Sequence, residues 1–213
     1  MNFLPEELED YVEKHSQAEP ELLQQLNRET HQKILQPRML SGHFQGRMLS
    51  MLSKIISPKN VLEIGTYTGY ATLCLAEGLA ENGTIHTIDI NEELYDFQRK
   101  YFNLSGFGKQ ITQHVGDALE IIPALNEKLD LVFIDADKHN YINYYQMILP
   151  KMTQGGIILT DNVLWSGKVL ETPKKDDIDT QTLIKYNQMI NEDERVETVL
   201  LPIRDGLTVT RVK

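Results

Sequence analysis

Residues 61–69, with the sequence VLEIGTYTG, decide the fold class of this chain. They begin as an almost continuous apolar run and end in a loop that has glycines at 65 and 69. A buried parallel strand has this kind of apolar run, and a glycine loop lets a ligand approach the N-terminus of the following helix. The stretch therefore predicts the first strand of an open α/β sheet, with a ligand site at its carboxyl end.

Two later stretches share this design, LVFIDADK at 131–138 and GIILTDN at 156–162. Each places acidic or amide oxygens directly after an apolar run, so we expect Asp135, Asp161 and Asn162 to converge at one crevice. Their oxygen atoms are hard ligands that suit a divalent cation, and Lys138 follows Asp135 by three residues as a proton-handling group. The combination predicts an enzyme.

The remaining pattern places this sheet after a helical N-terminal segment. Helices are predicted at 5–14, 18–35 and 43–56, then at 69–81, 91–106, 117–125, 139–150 and 178–192. Strands are predicted near 60–64, 84–89, 110–115, 129–134 and 155–160, and their alternation with helices indicates parallel βαβ units. Residues 163–177 form a long loop that we expect to cover a site, and the runs around Asp205-Gly206 predict a closing antiparallel hairpin.

Composition restricts the class of protein. With 213 residues and no shift in composition, we expect one domain, with a helical cap over residues 1–57 and an α/β core over 58–213. The single cysteine, Cys74, indicates a reducing compartment, and the absence of a signal-peptide pattern or long apolar run predicts a cytoplasmic location with no membrane partner. The net charge of −10 disfavours nucleic acid as a partner and favours a small molecule.

The glycine loop indicates which ligand it binds. Its spacing is GxxxG, which is neither the dinucleotide fingerprint nor a phosphate-binding P-loop. Asp89 lies 20 residues beyond Gly69 at the end of the second strand, where a carboxylate accepts both hydroxyls of a ribose. Asp117, after the third strand, can accept from an adenine amine. A nucleoside without phosphates fits S-adenosylmethionine.

Structural roles compete with these functional ones. The glycine pair can be only a tight turn, and Asp89 and Asp117 can each cap a helix. Glu63 interrupts an apolar strand, so it needs a polar partner such as a ligand amine. Lys138 alone can be a surface lysine. Three further side chains leave both options open: Asp137 can orient the site or be solvated, Trp165 can stack on a flat acceptor or pack the loop, and Asp205 can make the hairpin turn or face the acceptor.

Several segments together resemble a known family. They are VLEIGTYTGYATL, DIN at 89–91, GDAL at 116–119, FIDADKHNYINYY at 133–145 and GGIILTDNVLWSGKV at 155–169. They are similar to the cation-dependent, S-adenosylmethionine-dependent O-methyltransferases of the caffeoyl-coenzyme A and catechol type. The resemblance implies a Rossmann-like seven-stranded sheet of order 3-2-1-4-5-7-6, a Mg²⁺ (or Ca²⁺ or Mn²⁺) cofactor and a homodimer.

The resemblance also implies roles for residues of this chain. Asp135, Asp161 and Asn162 match the metal ligands, and Lys138 matches the catalytic lysine. The residues that we assign to the methyl donor are Met39, Glu63, Gly65, Thr66, Tyr67, Gly69, Asp89, Ile90, Asp117, Ala118 and Asp135, and those that we assign to the acceptor are Ser41, His43, Trp165 and Asp205.

One residue and one short segment depart from the family pattern. Ala71 stands where a serine is common, so Thr72 or Ser41 would have to supply the missing hydroxyl to the donor. His43, Phe44 and Gln45 occupy a segment that commonly carries acidic residues, which predicts a different acceptor preference.

The predicted function is methyl transfer to a hydroxyl of a catechol-like, vicinal dihydroxy aromatic acceptor. The cation would lower the pKa of the phenol, and Lys138 would take or screen its proton. Two alternatives stay open: a tRNA hydroxyuridine O-methyltransferase, supported by Lys168, Lys174 and Lys175, and a donor-binding regulator without catalysis, against which the metal set and Lys138 argue.

Overall fold

The computed structural model of the protein describes residues 5–213. These residues divide into two compact units, one ending at Asp117 and the other beginning at Ala118. The prediction of one domain with a cap over residues 1–57 stays a prediction. None of the described helices is long and apolar enough to cross a membrane.

The first unit contains a helical segment followed by three strands. Its helices are α1 (Glu6–Lys14), α2 (Glu21–Lys33), α3 (His43–Ile56), α4 (Tyr70–Ala76) and α5 (Tyr95–Leu104), and its strands are β1 (Asn60–Ile64), β2 (Thr84–Asp89) and β3 (Ile111–Val115). Strand β1 pairs in parallel with β2, and β2 with β3. Val61, Leu62 and Ile64 are buried, which agrees with the apolar run that predicted this strand.

The second unit contains the other four strands. Its helices are α6 (Ala118–Ala124), α7 (Tyr141–Ile148) and α8 (Ile178–Glu192), and its strands are β4 (Leu129–Ile134), β5 (Met152–Asp161), β6 (Val196–Leu201) and β7 (Leu207–Val212). Strand β4 pairs in parallel with β5, whereas β7 is antiparallel to both β5 and β6. The seven strands form one sheet of order β3-β2-β1-β4-β5-β7-β6, which confirms the predicted order and the antiparallel last strand.

Several elements differ from their predicted bounds: α2 and α5 begin at Glu21 and Tyr95 instead of residues 18 and 91, and α4 and β5 differ for reasons that the packing shows. Helix α4 ends at Ala76 instead of residue 81, where Glu77 turns to Arg47 and Lys54 of α3. Gly78 then passes so close to α3 that a Cβ atom there would lie 2.2 Å from the carbonyl carbon of Ser53. Strand β5 begins at Met152 instead of residue 155. Leu129 pairs with Met152 and Leu131 with Ile157, so the extra residues of this register shift lie in β5 and include its glycine pair.

Candidate active site

The glycine loop connects β1 to α4 and is shaped by close packing. Gly69 has a φ of 87°, and a Cβ atom on it would lie 2.5 Å from the Phe102 ring, so only glycine fits there without strain. The Gly65 N–H donates to the Ile88 carbonyl oxygen at 2.9 Å, and Tyr67 between the glycines has a φ of 48°. The loop therefore turns tightly at the carboxyl ends of β1 and β2.

Asp89 ends β2 and is held by two backbone groups. Its Oδ2 atom accepts from the Tyr67 N–H at 2.7 Å, and its Oδ1 atom accepts from the Asn91 N–H at 2.8 Å. The cap of the next helical turn is Asn91, whose side chain accepts from the Glu93 N–H. Burial raises the pKa of Asp89. A carboxylate has about four acceptor positions, so Asp89 can also accept from ribose hydroxyls.

Glu63 has partners within the protein. It is fully buried, and its Oε2 atom accepts from the hydroxyls of Thr72 and Thr87, the latter at 2.5 Å. The Thr87 and Thr66 hydroxyl oxygens lie 2.6 Å apart. The Thr72 and Thr87 hydroxyls account for one of the two carboxylate oxygens of Glu63. The Thr72 hydrogen is committed to Glu63, so Ser41 is the better candidate to replace the hydroxyl that Ala71 lacks.

Tyr67 links the glycine loop to residues 35 and 36, just before the predicted residues Met39 and Ser41. Its phenol oxygen lies 3.0 Å and 3.1 Å from the carbonyl oxygens of Leu35 and Gln36, and its own carbonyl accepts from the Gln98 amide at 2.6 Å. Met39 and Ser41 follow this tethered backbone, with Met39 55% exposed and Ser41 buried.

The other predicted residues of the first unit are placed differently. The side chain of Ile90, after β2, is 77% exposed, and that of Asp117, after β3, is also exposed. Exposed positions at strand ends are accessible to a ligand. His43 begins α3, and its Nε2 atom lies 2.7 Å from the carbonyl oxygen of Gln17, so this ring is attached to the N-terminal helical segment. In the second unit, Ala118 is buried at the start of α6.

Asp135 and Asp161 lie side by side at the carboxyl ends of β4 and β5. Ile134 pairs with Thr160 in the parallel register, so each aspartate is the next residue on an adjacent strand. Such strands lie about 4.8 Å apart. Asp161 is only 3% exposed, and its Oδ1 atom accepts from the Asn162 N–H at 2.8 Å. Asn162 has a φ of 58°, a conformation that asparagine tolerates better than most residues.

Lys138 is buried against this pair. Its Nζ atom lies 3.1 Å from Asp135 Oδ1 and 2.7 Å from the Tyr141 phenol oxygen, and the phenol hydroxyl donates to the Asp161 carbonyl oxygen at 3.0 Å. Lys138 is 8% exposed, so it is not an ordinary surface lysine. Burial, followed by the charges of Asp135 and Asp161, raises the pKa of Tyr141 well above its usual value. Tyr141 was not among the predicted site residues, although it lies three residues after Lys138.

Asp137 supports the backbone behind Lys138. Its carboxylate accepts from the Tyr144 hydroxyl at 2.5 Å and from the Asn140 amide at 2.5 Å, and His139 Nε2 lies 3.0 Å from it. These contacts attach the turn that carries Lys138 to α7. Asp137 is itself exposed, so it combines contact with solvent and these hydrogen bonds.

Asp205 contacts the loop that follows the predicted metal ligands. Its Oδ1 atom accepts from the Ser166 N–H at 2.6 Å, and its carbonyl oxygen accepts from the Leu164 N–H at 2.9 Å. Trp165, Ser166 and Gly167 all have positive φ angles, of 47°, 54° and 83°. The Trp165 ring centroid lies 6.0 Å from Lys138 Nζ and 5.8 Å from Lys168 Nζ. Asp205 therefore fixes a loop whose conformation is unfavourable for residues other than glycine.

The chemistry of these side chains suits a hard cation. Asp135, Asp161 and Asn162 offer two carboxylates and an amide, the oxygen ligands that Mg²⁺ and Ca²⁺ prefer. Within residues 5–213, no group of three or more histidine, cysteine, aspartate or glutamate side chains is placed to hold a metal ion. The predicted metal ligands do not form a group of this kind, because one of the three, Asn162, is an asparagine.

Comparison with known proteins places this arrangement in a family. A family model described as O-methyltransferase matches residues 13–213. Caffeoyl-CoA O-methyltransferase 5 from Nicotiana tabacum is 35% identical over 91% of this chain and 85% of its own length, and caffeoyl-CoA O-methyltransferase 2 from Zea mays is 37% identical over 91% and 77%.

Solved structures agree in fold. The O-methyltransferase from Bacillus cereus in complex with SAH has a TM-score of 0.90 at 27% identity, covering 97% of both chains. The O-methyltransferase TomG from Streptomyces achromogenes in complex with SAM has a TM-score of 0.89 at 25% identity, covering 97% of this chain and 96% of its own. The chain therefore belongs to the O-methyltransferase family and is a S-adenosylmethionine-dependent O-methyltransferase of the type that includes the caffeoyl-CoA enzymes.

Proposed function

We propose that the protein transfers the methyl group of S-adenosylmethionine to a hydroxyl of a catechol-like small molecule, and that this transfer depends on a divalent cation. The observation that carries the proposal is the pairing of Asp135 and Asp161 on adjacent strand ends, with the buried Lys138 amine against Asp135. The caffeoyl group that names the relatives carries two adjacent ring hydroxyls, which supports a vicinal dihydroxy acceptor.

The methyl donor is assigned to residues of the glycine loop and the strand ends. Asp89 accepts hydrogen bonds from the ribose, and Asp117 accepts from the adenine amine. The half-exposed Met39 and the exposed Ile90 offer apolar surface to the donor. The remaining proposed donor residues are Glu63, Gly65, Thr66, Tyr67, Gly69, Ala118 and Asp135.

The cation is assigned to Asp135, Asp161 and Asn162, with Mg²⁺ as the first candidate and Ca²⁺ or Mn²⁺ as replacements. A divalent cation supplies stabilisation of phenolate, which lowers the pKa of a phenol from about 10 toward neutrality. Two carboxylates and one amide leave coordination positions for the adjacent hydroxyls of an acceptor.

Lys138 is the proposed proton acceptor. It takes the proton from the acceptor hydroxyl, and the resulting oxygen attacks the donor methyl carbon as the carbon–sulfur bond breaks, releasing S-adenosylhomocysteine. Trp165 is proposed to stack on the aromatic ring of the acceptor. Asp205 is proposed to hold the Trp165 loop, and Ser41 and His43 are the remaining candidate acceptor contacts. A homodimer and a cytoplasmic location are part of the proposal.

The test is a methyl-transfer assay on matched acceptors. We expect turnover with a vicinal dihydroxy aromatic and at least tenfold less with its monohydroxy analogue. Chelation should abolish turnover, and Mg²⁺, Ca²⁺ or Mn²⁺ should restore it. Full activity after chelation would overturn the cation dependence, and methylation of hypomodified tRNA without activity on any catechol would overturn the acceptor class.

Variants of two lysines test the role of Lys138. Lys138→Ala should lower kcat by about 100-fold or more, the usual contribution of a positioned proton acceptor, while the donor dissociation constant stays unchanged. Lys185→Ala removes an exposed lysine from α8 in the same unit and is the matched control. Wild-type turnover in Lys138→Ala would contradict the proposed role.

A further inference from the structure

The Tyr141 side chain lies between the Lys138 amine and the backbone of β5. It is completely buried at the start of α7. Its phenol oxygen is 2.7 Å from Lys138 Nζ and 3.0 Å from the Asp161 carbonyl oxygen.

The direction of these two hydrogen bonds follows from their partners. A phenol has one hydrogen to donate, and the Asp161 carbonyl oxygen can only accept, so the phenol hydrogen is directed at that carbonyl. The phenol oxygen therefore presents a lone pair to Lys138, and the amine donates to it. The backbone of β5 thus fixes the orientation of the acceptor that Lys138 meets.

Lys138 has a second acceptor on another side of its amine, because Asp135 Oδ1 lies 3.1 Å from Nζ. The nitrogen of this amino group is tetrahedral. With Asp135 and Tyr141 each accepting one of its N–H groups, its remaining position points in a fixed direction. Without either acceptor, the amine could rotate among several orientations.

We infer that Tyr141 is a positioning residue that fixes the orientation of the Lys138 amino group by accepting one of its N–H groups. This inference rests on the proposed role of Lys138 as proton acceptor. Tyr141 itself transfers no proton to the acceptor. Its hydroxyl stays bonded to the Asp161 carbonyl, and its contribution is to hold the amine in one orientation throughout the reaction.

The first test is the substitution Tyr141→Phe, which keeps the ring and removes only the hydroxyl. We expect kcat to fall about tenfold because proton transfer requires the amino group in one orientation. The KM for S-adenosylmethionine should change by less than about twofold. Turnover is expressed per donor-binding site, counted by calorimetric titration with S-adenosylhomocysteine, so misfolded protein does not enter kcat.

Tyr186→Phe is the matched control. Tyr186 is also fully buried, its ring packs edge-on against that of Tyr141 at 5.7 Å, and its hydroxyl is bonded to Thr160 at 2.6 Å. The two substitutions therefore remove the same group from neighbouring buried sites, but only one of the hydroxyls contacts Lys138. We expect Tyr186→Phe to retain kcat within about twofold, and an equal loss in both variants would overturn the inference.

A double-mutant cycle separates positioning from a general structural effect. If Tyr141 acts through Lys138, Tyr141→Phe should change the residual turnover of Lys138→Ala by less than about twofold. A tenfold loss in both backgrounds would overturn the inference, as would wild-type kcat in Tyr141→Phe alone. Wild-type kcat in Lys138→Ala would instead refute the proposed role of Lys138, so the two failures are distinguishable.

Discussion

The two units of the protein both place carboxylates at the ends of buried strands, but they hold them with different partners. In the unit that ends at Asp117, Asp89 accepts from two backbone N–H groups and Glu63 accepts from two threonine hydroxyls. In the unit that begins at Ala118, Asp135 contacts the amino group of Lys138. Neutral donors orient a carboxylate, whereas a buried lysine adds a group that can exchange a proton.

This difference shows that a strand-end acid acquires its role from the groups that surround it. Asp89 keeps acceptor positions for a neutral polar ligand such as a ribose. Asp135 and Asp161 follow paired residues of adjacent strands, and Lys138 contacts Asp135, which suits a cation and a proton acceptor. Changes to Asp89 should therefore alter the binding of the donor, and changes to Asp161 should alter the chemical step.

The largest effect on turnover is expected from Asp161→Asn. This substitution keeps the volume of the side chain and an oxygen that can accept from the Asn162 N–H, but it removes one of the two adjacent negative charges. We expect kcat/KM to fall about 1000-fold and the Mg²⁺ affinity to weaken, because much of the charge that attracts the cation is lost. Initial rates and calorimetric titration with Mg²⁺ measure these changes.

The donor affinity of Asp161→Asn should equal that of the wild type, which S-adenosylhomocysteine titration can check. Asp130→Asn is the matched control, since Asp130 lies on β4 at the end away from Asp135 and is bonded to Thr153. Turnover near the wild-type rate in Asp161→Asn would contradict the assignment of the cation to the second unit.

A smaller effect, confined to donor binding, is expected from Asp89→Ala. Hydrogen bonds to a charged group contribute about 1.5 to 3 kcal/mol each, so losing those to the ribose should weaken donor binding by at least roughly 10-fold. The Mg²⁺ affinity should not change. Asn91→Ala is the control, because Asn91 only caps the following turn and should leave donor affinity within about threefold. An unchanged donor affinity in Asp89→Ala would show that Asp89 only supports the loop.

The elements that the sequence predicts well are those governed by local pattern. The apolar runs predicted β1, β2 and β4 at their observed bounds, and helix α8 also has the predicted bounds, with Asp177 as its N-cap. The sheet order followed from the family resemblance. The boundary of α4 was wrong because its end depends on contacts with α3, which are distant in sequence.

The partners of the strand-end residues were harder to predict. Tyr141 interacts with Asp161 across 20 residues, and Thr87 interacts with Glu63 across 24, so neither contact leaves a local signal. The positive φ angles at Trp165 and Ser166 are also not readable from the sequence, since such residues adopt them only under tertiary constraint. The sequence thus predicts where charged groups lie more readily than which groups contact them.

The loop that follows the predicted metal ligands provides a third prediction. Asp205→Ala removes the acceptor of the Ser166 N–H, so the strained turn at Trp165 should lose its constraint. We expect kcat/KM for the aromatic acceptor to fall about fivefold to tenfold, with unchanged donor affinity. Trp165 is the only tryptophan of the chain, so its fluorescence reports the loop directly and should change in this variant.

Asp205→Asn is the control for this loop, because its amide oxygen can still accept from the Ser166 N–H. Both turnover and fluorescence should stay close to those of the wild type. If the alanine variant kept the wild-type emission spectrum and acceptor kinetics, Asp205 would be only a residue of the hairpin turn.

The smallest effect on turnover is expected from Glu77→Gln, although its effect on stability is substantial. Burial alone would raise the pKa of Glu77, but hydrogen bonds from Arg47, Lys54 and Ser50 outweigh it and lower the pKa to about 2 from an ordinary value of 4.5. Its folded-state pKa is depressed, so the stabilisation is present above pH 4.5 and is lost as the pH falls toward 2. Removing the charge should cost about 2 kcal/mol at pH 7.

Urea unfolding of wild type and Glu77→Gln between pH 7 and pH 2.5 measures this dependence. The difference in unfolding free energy should shrink as the pH falls, because the wild-type carboxylate becomes protonated. Glu81→Gln, at an exposed position of the same unit, should show no such difference. At pH 7, kcat should stay within about twofold of the wild-type value. A large loss of turnover would mean that the ion pairs of Glu77 with Arg47 and Lys54 are coupled to methyl transfer. The first unit would then do more than bind the donor.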